Sequence, residues 1–190
     1  MVNGLKNVKR TTVGSRIYGS VGWLGVAAVV LVAGWLSLRS ADAMVGKQAP
    51  DIANQTWLNS APLRIADLKG RVVMVEFWTF GCYNCRNVEP YIKQWHRKYT
   101  DQGFVVIGVH SPEFSHEREV ENVRRYIHDH DIRFAVPIDN EFSTWNAYGN
   151  RYWPALYLID KRGIIRYVSI GEGRYQETER MIQVLLAENF

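Results

Sequence analysis

Short apolar runs separated by polar, turn-forming residues recur along the chain from about residue 50 onward, and their periods alternate between those of strands and helices. Arg71–Trp78 (RVVMVEFW) and Phe104–Val109 (FVVIGV) are apolar on successive positions, the pattern of strands buried on both faces of a sheet. Between them, Cys85–Thr100 carries Val88, Ile92 and Trp95 at helical spacing, and Asp101-Gln102-Gly103 supplies the stop. Glu117–His130 predicts a polar amphipathic helix with Val120, Val123 and Ile127 as its inner stripe. Phe134–Ile138 predicts a third strand and Phe142–Tyr148 a short helix. Ala155–Ile159 and Ile164–Ser169, split by Asp160-Lys161-Arg162-Gly163, predict a hairpin, and Gln176–Ala187 a closing helix. Near the start, Gln55–Leu58 and Leu63–Ile65 predict a short hairpin around Asn-Ser-Ala-Pro. The order ββ-β-α-β-α-β-α-β-β-α makes this an α/β domain, a mixed central sheet flanked by helices with an N-terminal β-hairpin.

The pattern before residue 50 is different. Residues 17–38 form an uncharged, largely apolar run of 22 residues, and roughly 20 apolar residues in a helix span a bilayer core. Lys6, Lys9, Arg10 and Arg16 precede it, and only Arg39 follows closely. The expectation is a basic cytoplasmic tail at 1–16, a transmembrane anchor contacting the lipid bilayer at 17–38, a linker at 39–50 and an exported domain at 51–190. Ala41-Asp42-Ala43 also fits a cleavage site, so a signal peptide is the competing reading. Both readings place the domain outside the cytoplasm, facing the periplasm or the cell exterior.

The net charge is concentrated at the N-terminus. The whole chain carries +4, while residues 1–40 hold five cations and no acid, which leaves −1 for the remainder. The domain is close to neutral, so a nucleic-acid partner is not expected.

The chain has two cysteines, both in Cys82-Tyr83-Asn84-Cys85, between a predicted strand and a predicted helix. A thiol at a helix N-terminus meets unpaired N–H groups and the positive dipole end, which favour the thiolate. One helical turn brings the second sulfur within disulfide reach. Cys82, at the exposed lip, is expected to attack, and Cys85 to resolve the mixed disulfide. A structural disulfide closing so small a loop would gain little entropy, and a metal site wants about four ligands. Redox exchange by the cysteine pair, without a bound cofactor or metal, is the reading the residues favour.

Val73–Pro90 (VMVEFWTFGCYNCRNVEP) resembles the active-site segment of thioredoxin-like proteins. Residues 48–188 resemble the exported redox proteins of the TlpA/ResA type, most of all the thioredoxin-like domain of DipZ-type thiol:disulfide interchange proteins, through GVHSPEF, GNRYWPALYLID and GEGRY. The resemblance implies a thioredoxin-like fold and thiol:disulfide oxidoreductase activity on exported protein thiols and disulfides, with a membrane thiol-electron donor of the DsbD/CcdA type. It implies that Glu76, six residues before Cys82, relays protons to and from Cys85; the alternative is a carboxylate pointing outward at a sheet edge. It implies a cis bond at Trp153-Pro154, with Pro154 facing the cysteines. Pro90 is expected to kink the first long helix. Trp78 is expected beneath the active site, and Trp78, Tyr83, Asn84 and Trp153 around the substrate groove. Two positions depart from the thioredoxin pattern: Tyr83-Asn84 replaces Gly-Pro, and Phe80-Gly81 replaces the aromatic directly before the first cysteine.

Other polar residues carry weaker signals. His110 ends a predicted strand and reads as a capping or solvent histidine, with contact to the active site as the alternative. His96, His116, His128 and His130 read as surface residues, and Arg151 and Tyr152 lie beside the expected cis-proline. Two other functions stay open at this point. Thr79-x-x-Cys82 echoes a thiol peroxidase core, although Val75 stands where that pattern has proline. Cys82, Cys85 and His110 would also suit Cu(I) in an assembly factor.

Overall fold

The structure, a computed structural model, describes residues 43–190. The expected tail and anchor at 1–16 and 17–38, and the first residues of the linker, lie outside the described residues. Among the described residues no helix is long and apolar enough to cross a membrane.

The elements in chain order are β1 (Trp57–Leu58), β2 (Val72–Trp78), α1 (Tyr83–Tyr99), β3 (Phe104–His110), α2 (Val120–Asp129), β4 (Val136–Pro137), α3 (Ser143–Ala147), β5 (Ala155–Ile159), β6 (Ile165–Ile170) and α4 (Tyr175–Ala187). The main sheet has the order β3-β2-β5-β6. β2 runs parallel to β3 and antiparallel to β5, so the sheet is mixed as expected. Every residue of β2 is buried, because the strand is central and both of its faces are covered.

The two faces fill from different parts of the sequence. Val72, Met74 and Trp78 pack with Phe104 and Val106 under Val88, Ile92 and Trp95 of α1, Val123 and Ile127 of α2, and Ile182 and Leu185 of α4. Val73, Val75 and Phe77 pack on the other side with Ile107, Tyr157, Trp145 and Tyr148, closed by Ala49, Ile52 and Ile65 from the N-terminal segment. The alternation along β2 is the period-two consequence of its pleat. It puts Glu76 on the face that α1 covers.

The expected N-terminal β-hairpin does not form. Trp57 and Leu58 pair instead with Pro137 and Val136 across a separate two-stranded sheet. Asn59 turns the chain in a left-handed conformation at φ 66°, and its amide donates to the carbonyls of Ile132 and Phe134 at 2.9 and 3.0 Å. Beyond Pro62, which has no N–H for a ladder, Ile65–Leu68 winds into a 3-10 turn with the Ile65 N–H held by Asp51 at 2.6 Å. The end of the expected linker is also attached: Gly46 and Ala49 donate to Ile165 and Gly163, and Ile165 donates to Lys47.

Candidate active site

Cys82 and Cys85 lie where β2 gives way to α1. Cys82 is the N-cap of α1, extended at φ −73° and ψ 118°, and its sulfur accepts the backbone N–H of Cys85 at 3.2 Å. The first N–H groups of a helix have no partner within the helix, and a sulfur at the cap takes the place that a serine or aspartate oxygen usually fills. Cys82 is half-buried and Cys85 buried, and both thiols are free.

Their environments push the two thiols apart. The hydrogen bond with the Cys85 side chain lowers Cys82 most, the N–H groups of Cys85 and Asn84 add to it, and burial and the Glu113 charge oppose; the net result is about 7. Cys85 is pushed far up, first by burial and then by its hydrogen bond to the Cys82 sulfur, with the charges of Cys82 and Glu76 acting the same way. One sulfur is therefore an accessible thiolate near neutral pH and the other a sheltered thiol.

Glu76 is 3% exposed, so it is an interior carboxylate and not one at a sheet edge. Burial, then the neighbouring charges of Glu89 and Cys82, hold it well above the usual carboxylate range. Across the sheet it faces Gly108 on β3 and Leu156 on β5. Glu89, one turn beyond Cys85, is a second buried carboxylate. It accepts from the Tyr126 hydroxyl at 2.8 Å, from Lys93 at 2.9 Å and from His130 at 3.3 Å. Pro90 follows it on the exposed side of α1, and the helix continues through to Tyr99.

The Trp153-Pro154 bond is cis. Phe77 pairs with Ala155, so Pro154 lies beside the end of β2, from which the cysteine turn departs. The Pro154 carbonyl accepts the Gly171 N–H at 2.8 Å, which ties the GEGRY loop to the same edge. Trp153 is half-buried, its indole N–H donates to the Ser111 carbonyl at 3.0 Å, and its ring lies 4.3 Å from that of Trp145. Tyr83 is 67% exposed with the Arg86 guanidinium 6.0 Å over its ring, and Asn84 is exposed beside it. Trp78 does not line a groove. It is 4% exposed and sits in the core behind the cysteines, edge-on to His110 at 5.1 Å.

Three further residues join the site: His110, for which the sequence offers contact with it as the alternative, and Glu117 and Glu89, which the sequence does not place there. His110 is fully buried, not a capping or solvent residue; its Nε2 lies 3.3 Å from the Thr79 hydroxyl and its ring stacks on Phe80 at 5.6 Å. Burial lowers it to about 4, so it is neutral at pH 7. Glu117 is fully buried and accepts the Gly81 N–H at 2.7 Å. Glu89 is the third. The one sequence signal for Glu117 is the unusual Gly81 before Cys82, and for Glu89 it is the helical spacing from Cys85. Among the remaining histidines, His116 and His128 are exposed, as expected, whereas His96 and His130 are partly buried. Arg151 and Tyr152 are exposed beside Trp153. Among the described residues no group of three or more His, Cys, Asp or Glu side chains is placed to hold a metal ion.

A family model described as the AhpC/TSA family matches residues 45–168. The chain is similar to Protein DipZ of Mycobacterium tuberculosis, 41% identical over 142 residues that cover 73% of this chain and 20% of that protein. It thus spans about a fifth of the length of the first curated relatives it matches. It is similar to the thiol-disulfide oxidoreductase ResA of Bacillus cereus, 30% identical over 139 residues, with 73% of this chain and 77% of ResA covered. Among solved structures it is similar to a putative thiol:disulfide interchange protein DsbE from Chlorobium tepidum, with a TM-score of 0.67, 26% identity, and 75% of this chain and 98% of that one covered.

Proposed function

The chain belongs to the AhpC/TSA family, with the thioredoxin-like α/β fold of its thiol-disulfide oxidoreductase relatives, and we propose that it reduces disulfides of exported proteins through Cys82 and Cys85. The observation that carries this reading is the asymmetry of the pair: an N-cap thiolate that accepts the Cys85 N–H at 3.2 Å, backed by a buried thiol one turn inward.

The Cys82 thiolate attacks one sulfur of a substrate disulfide, forming a mixed disulfide and expelling the first substrate thiolate. Capture of that charge in an S–S bond removes one of the repulsions that hold Glu76 protonated. Glu76 then passes its proton by way of solvent to the expelled substrate thiolate, and its carboxylate is the base that takes the proton from Cys85 and ends the step protonated again. The Cys85 thiolate attacks the Cys82 sulfur, the second substrate thiolate leaves, and the Cys82–Cys85 disulfide remains. The substrate gains two electrons from the cysteine pair; the thiolate–thiol pair gives up one proton with them, and solvent supplies the second proton that makes both product thiols neutral. The electrons reside in the cysteine pair, so the step calls on no bound cofactor.

The cycle needs a donor to restore the dithiol. We assign that role to a membrane thiol-electron donor of the DsbD/CcdA type. The length of the uncharged run at 17–38 and the excess of cations before it support an anchor with the N-terminus in the cytoplasm and the redox domain outside. An anchor confines enzyme and donor to one membrane and raises their effective concentration.

Turnover tests the reading. The reduced full chain is expected to reduce a protein disulfide at a Cys82-dependent rate and to leave hydrogen peroxide untouched. Rapid peroxide consumption with no disulfide reduction would instead favour a thiol peroxidase.

A further inference from the structure

Gly81 and Glu117 are built around one another. Glu117 belongs to a 3-10 turn, Ser115–Arg118, in the loop between β3 and α2. Its neighbours His116 and Arg118 face solvent, yet its own side chain is fully buried. A buried carboxylate is costly unless its oxygens are satisfied, and these are. Oε1 accepts the Gly81 N–H at 2.7 Å, and Oε2 accepts the N–H groups of Glu113 and Phe114 at 2.6 and 2.8 Å. Burial alone would raise its pKa, but the donors Phe114, Thr79, Glu113 and Gly81 together outweigh it and hold the group below its ordinary value.

A side chain at position 81 would collide with this carboxylate, because a Cβ built on Gly81 meets the Glu117 Oε1 atom. The glycine therefore leaves the room that the carboxylate occupies, and a side chain there would push the carboxylate off its amides. The place given up by the residue before the first cysteine is occupied by an ionised group from a distant loop.

The bonds within the cysteine turn are long by comparison. Cys82 N–H to the Thr79 carbonyl and Arg86 N–H to the Cys82 carbonyl are both 3.3 Å. The Glu117–Gly81 bond is charge-assisted and 2.7 Å long, and such bonds are roughly twice as strong as neutral ones, so the firmest hold on the segment entering Cys82 comes from Glu117. We propose that Glu117 is a positioning residue for the attacking thiolate: it fixes the Gly81 amide, and through it Cys82, so that the sulfur stays at the helix cap where the Cys85 N–H donates. This inference rests on the dithiol reading of Cys82 and Cys85. Glu113, Glu76 and Cys85 also face Cys82 and are unchanged in the variants below.

The test combines Glu117→Gln, which puts an NH2 group among N–H donors, with Gly81→Ala, which displaces the carboxylate and keeps its charge. Both are expected to move the Cys82 pKa, followed by thiolate absorbance in the full chain, from about 7 toward the ordinary value of about 8.5. Alkylation at pH 7 would slow roughly fivefold or more as the thiolate fraction falls. If Glu117 acts only as a nearby charge, Glu117→Gln lowers the pKa and Gly81→Ala leaves it alone, and that pattern overturns the proposal. Amide hydrogen exchange at Gly81 in the wild-type chain serves if either variant misfolds: protection is expected, and exchange at the rate of a free amide overturns it. Reversible Cys82–Cys85 disulfide formation is scored in the same samples. A chain that cycles normally with an unmoved pKa sinks the clamp alone, whereas a wild type that forms no such disulfide sinks the dithiol reading and the clamp with it.

Discussion

Glu76 on β2 stands directly across the parallel ladder from Gly108 on β3, and the Trp78 indole nitrogen lies 3.0 Å from where a Gly108 side chain would begin. The Phe134 ring presses on the same point. The glycine makes room for the aromatic wall behind the cysteines, on the face where the buried acid sits. Replacing Gly108 with Ala would drive a methyl group into two rings that are packed on all sides. Overpacking of this kind costs about 1–3 kcal/mol, and chemical denaturation is expected to find a loss in that range. An unchanged denaturation midpoint would mean that the rings are free to move aside.

Removal of the acid itself separates chemistry from stability. Glu76→Gln is expected to leave attack by Cys82 nearly intact and to slow resolution by Cys85 about 100-fold, the lower end of what general acid–base help supplies. Stopped-flow measurement of mixed-disulfide decay checks this. Stability should move the other way. The folded-state pKa of Glu76 is raised, so the folded chain binds more protons than the unfolded one above about pH 4.5, and wild-type stability falls as pH rises through that window. The Gln variant escapes the fall, and its advantage in the reduced state should grow as pH rises above about 4.5.

His110 gives the opposite slope. Its folded pKa is lowered to about 4 from 6.5, so between those values the unfolded chain binds the extra proton and stability drops as pH falls. The loss begins near pH 6.5, is complete near pH 4 and amounts to about 3 kcal/mol. His110→Asn, which cannot take up that proton, should flatten this limb of the denaturation profile, and an unchanged limb would place the ring in contact with water.

The cysteines should differ in role and not only in rate. Cys85→Ser is expected to keep Cys82 reactive, with an alkylation midpoint near 7 in the wild-type chain, and to accumulate mixed disulfides with its clients. Cys82→Ser should abolish turnover by at least 100-fold. Accumulation of adducts in the Cys82→Ser variant instead would reverse the assignment of attacker and resolver.

Much of this is legible in the sequence, because the elements that matter most obey local rules. The run RVVMVEFW can hardly be other than a buried central strand, and a cysteine pair opening the next helix follows from chain order. Pro154 sits beside the end of β2 because the strand that follows it pairs with β2. What the pattern misses depends on distant partners. Leu58 and Leu63 show a hairpin pattern, but the partner that β1 finds, Val136–Pro137, lies about eighty residues away. His110 has the pattern of a strand-end histidine exposed to water, and only the packing of Phe80 and Trp78 around it makes it interior. Glu117 has the pattern of the first polar residue of a surface helix. Nothing in its neighbours says that its carboxylate turns inward to serve three backbone amides.

The decisive measurement is a redox titration of the full chain in graded thiol/disulfide buffers. The expected result is a single, reversible two-electron transition that requires both Cys82 and Cys85, at a potential near the thioredoxin value of about −270 mV. A potential near about −120 mV would make the protein a disulfide donor and reverse the proposed direction. Failure to form any reversible Cys82–Cys85 disulfide would refute the dithiol mechanism outright.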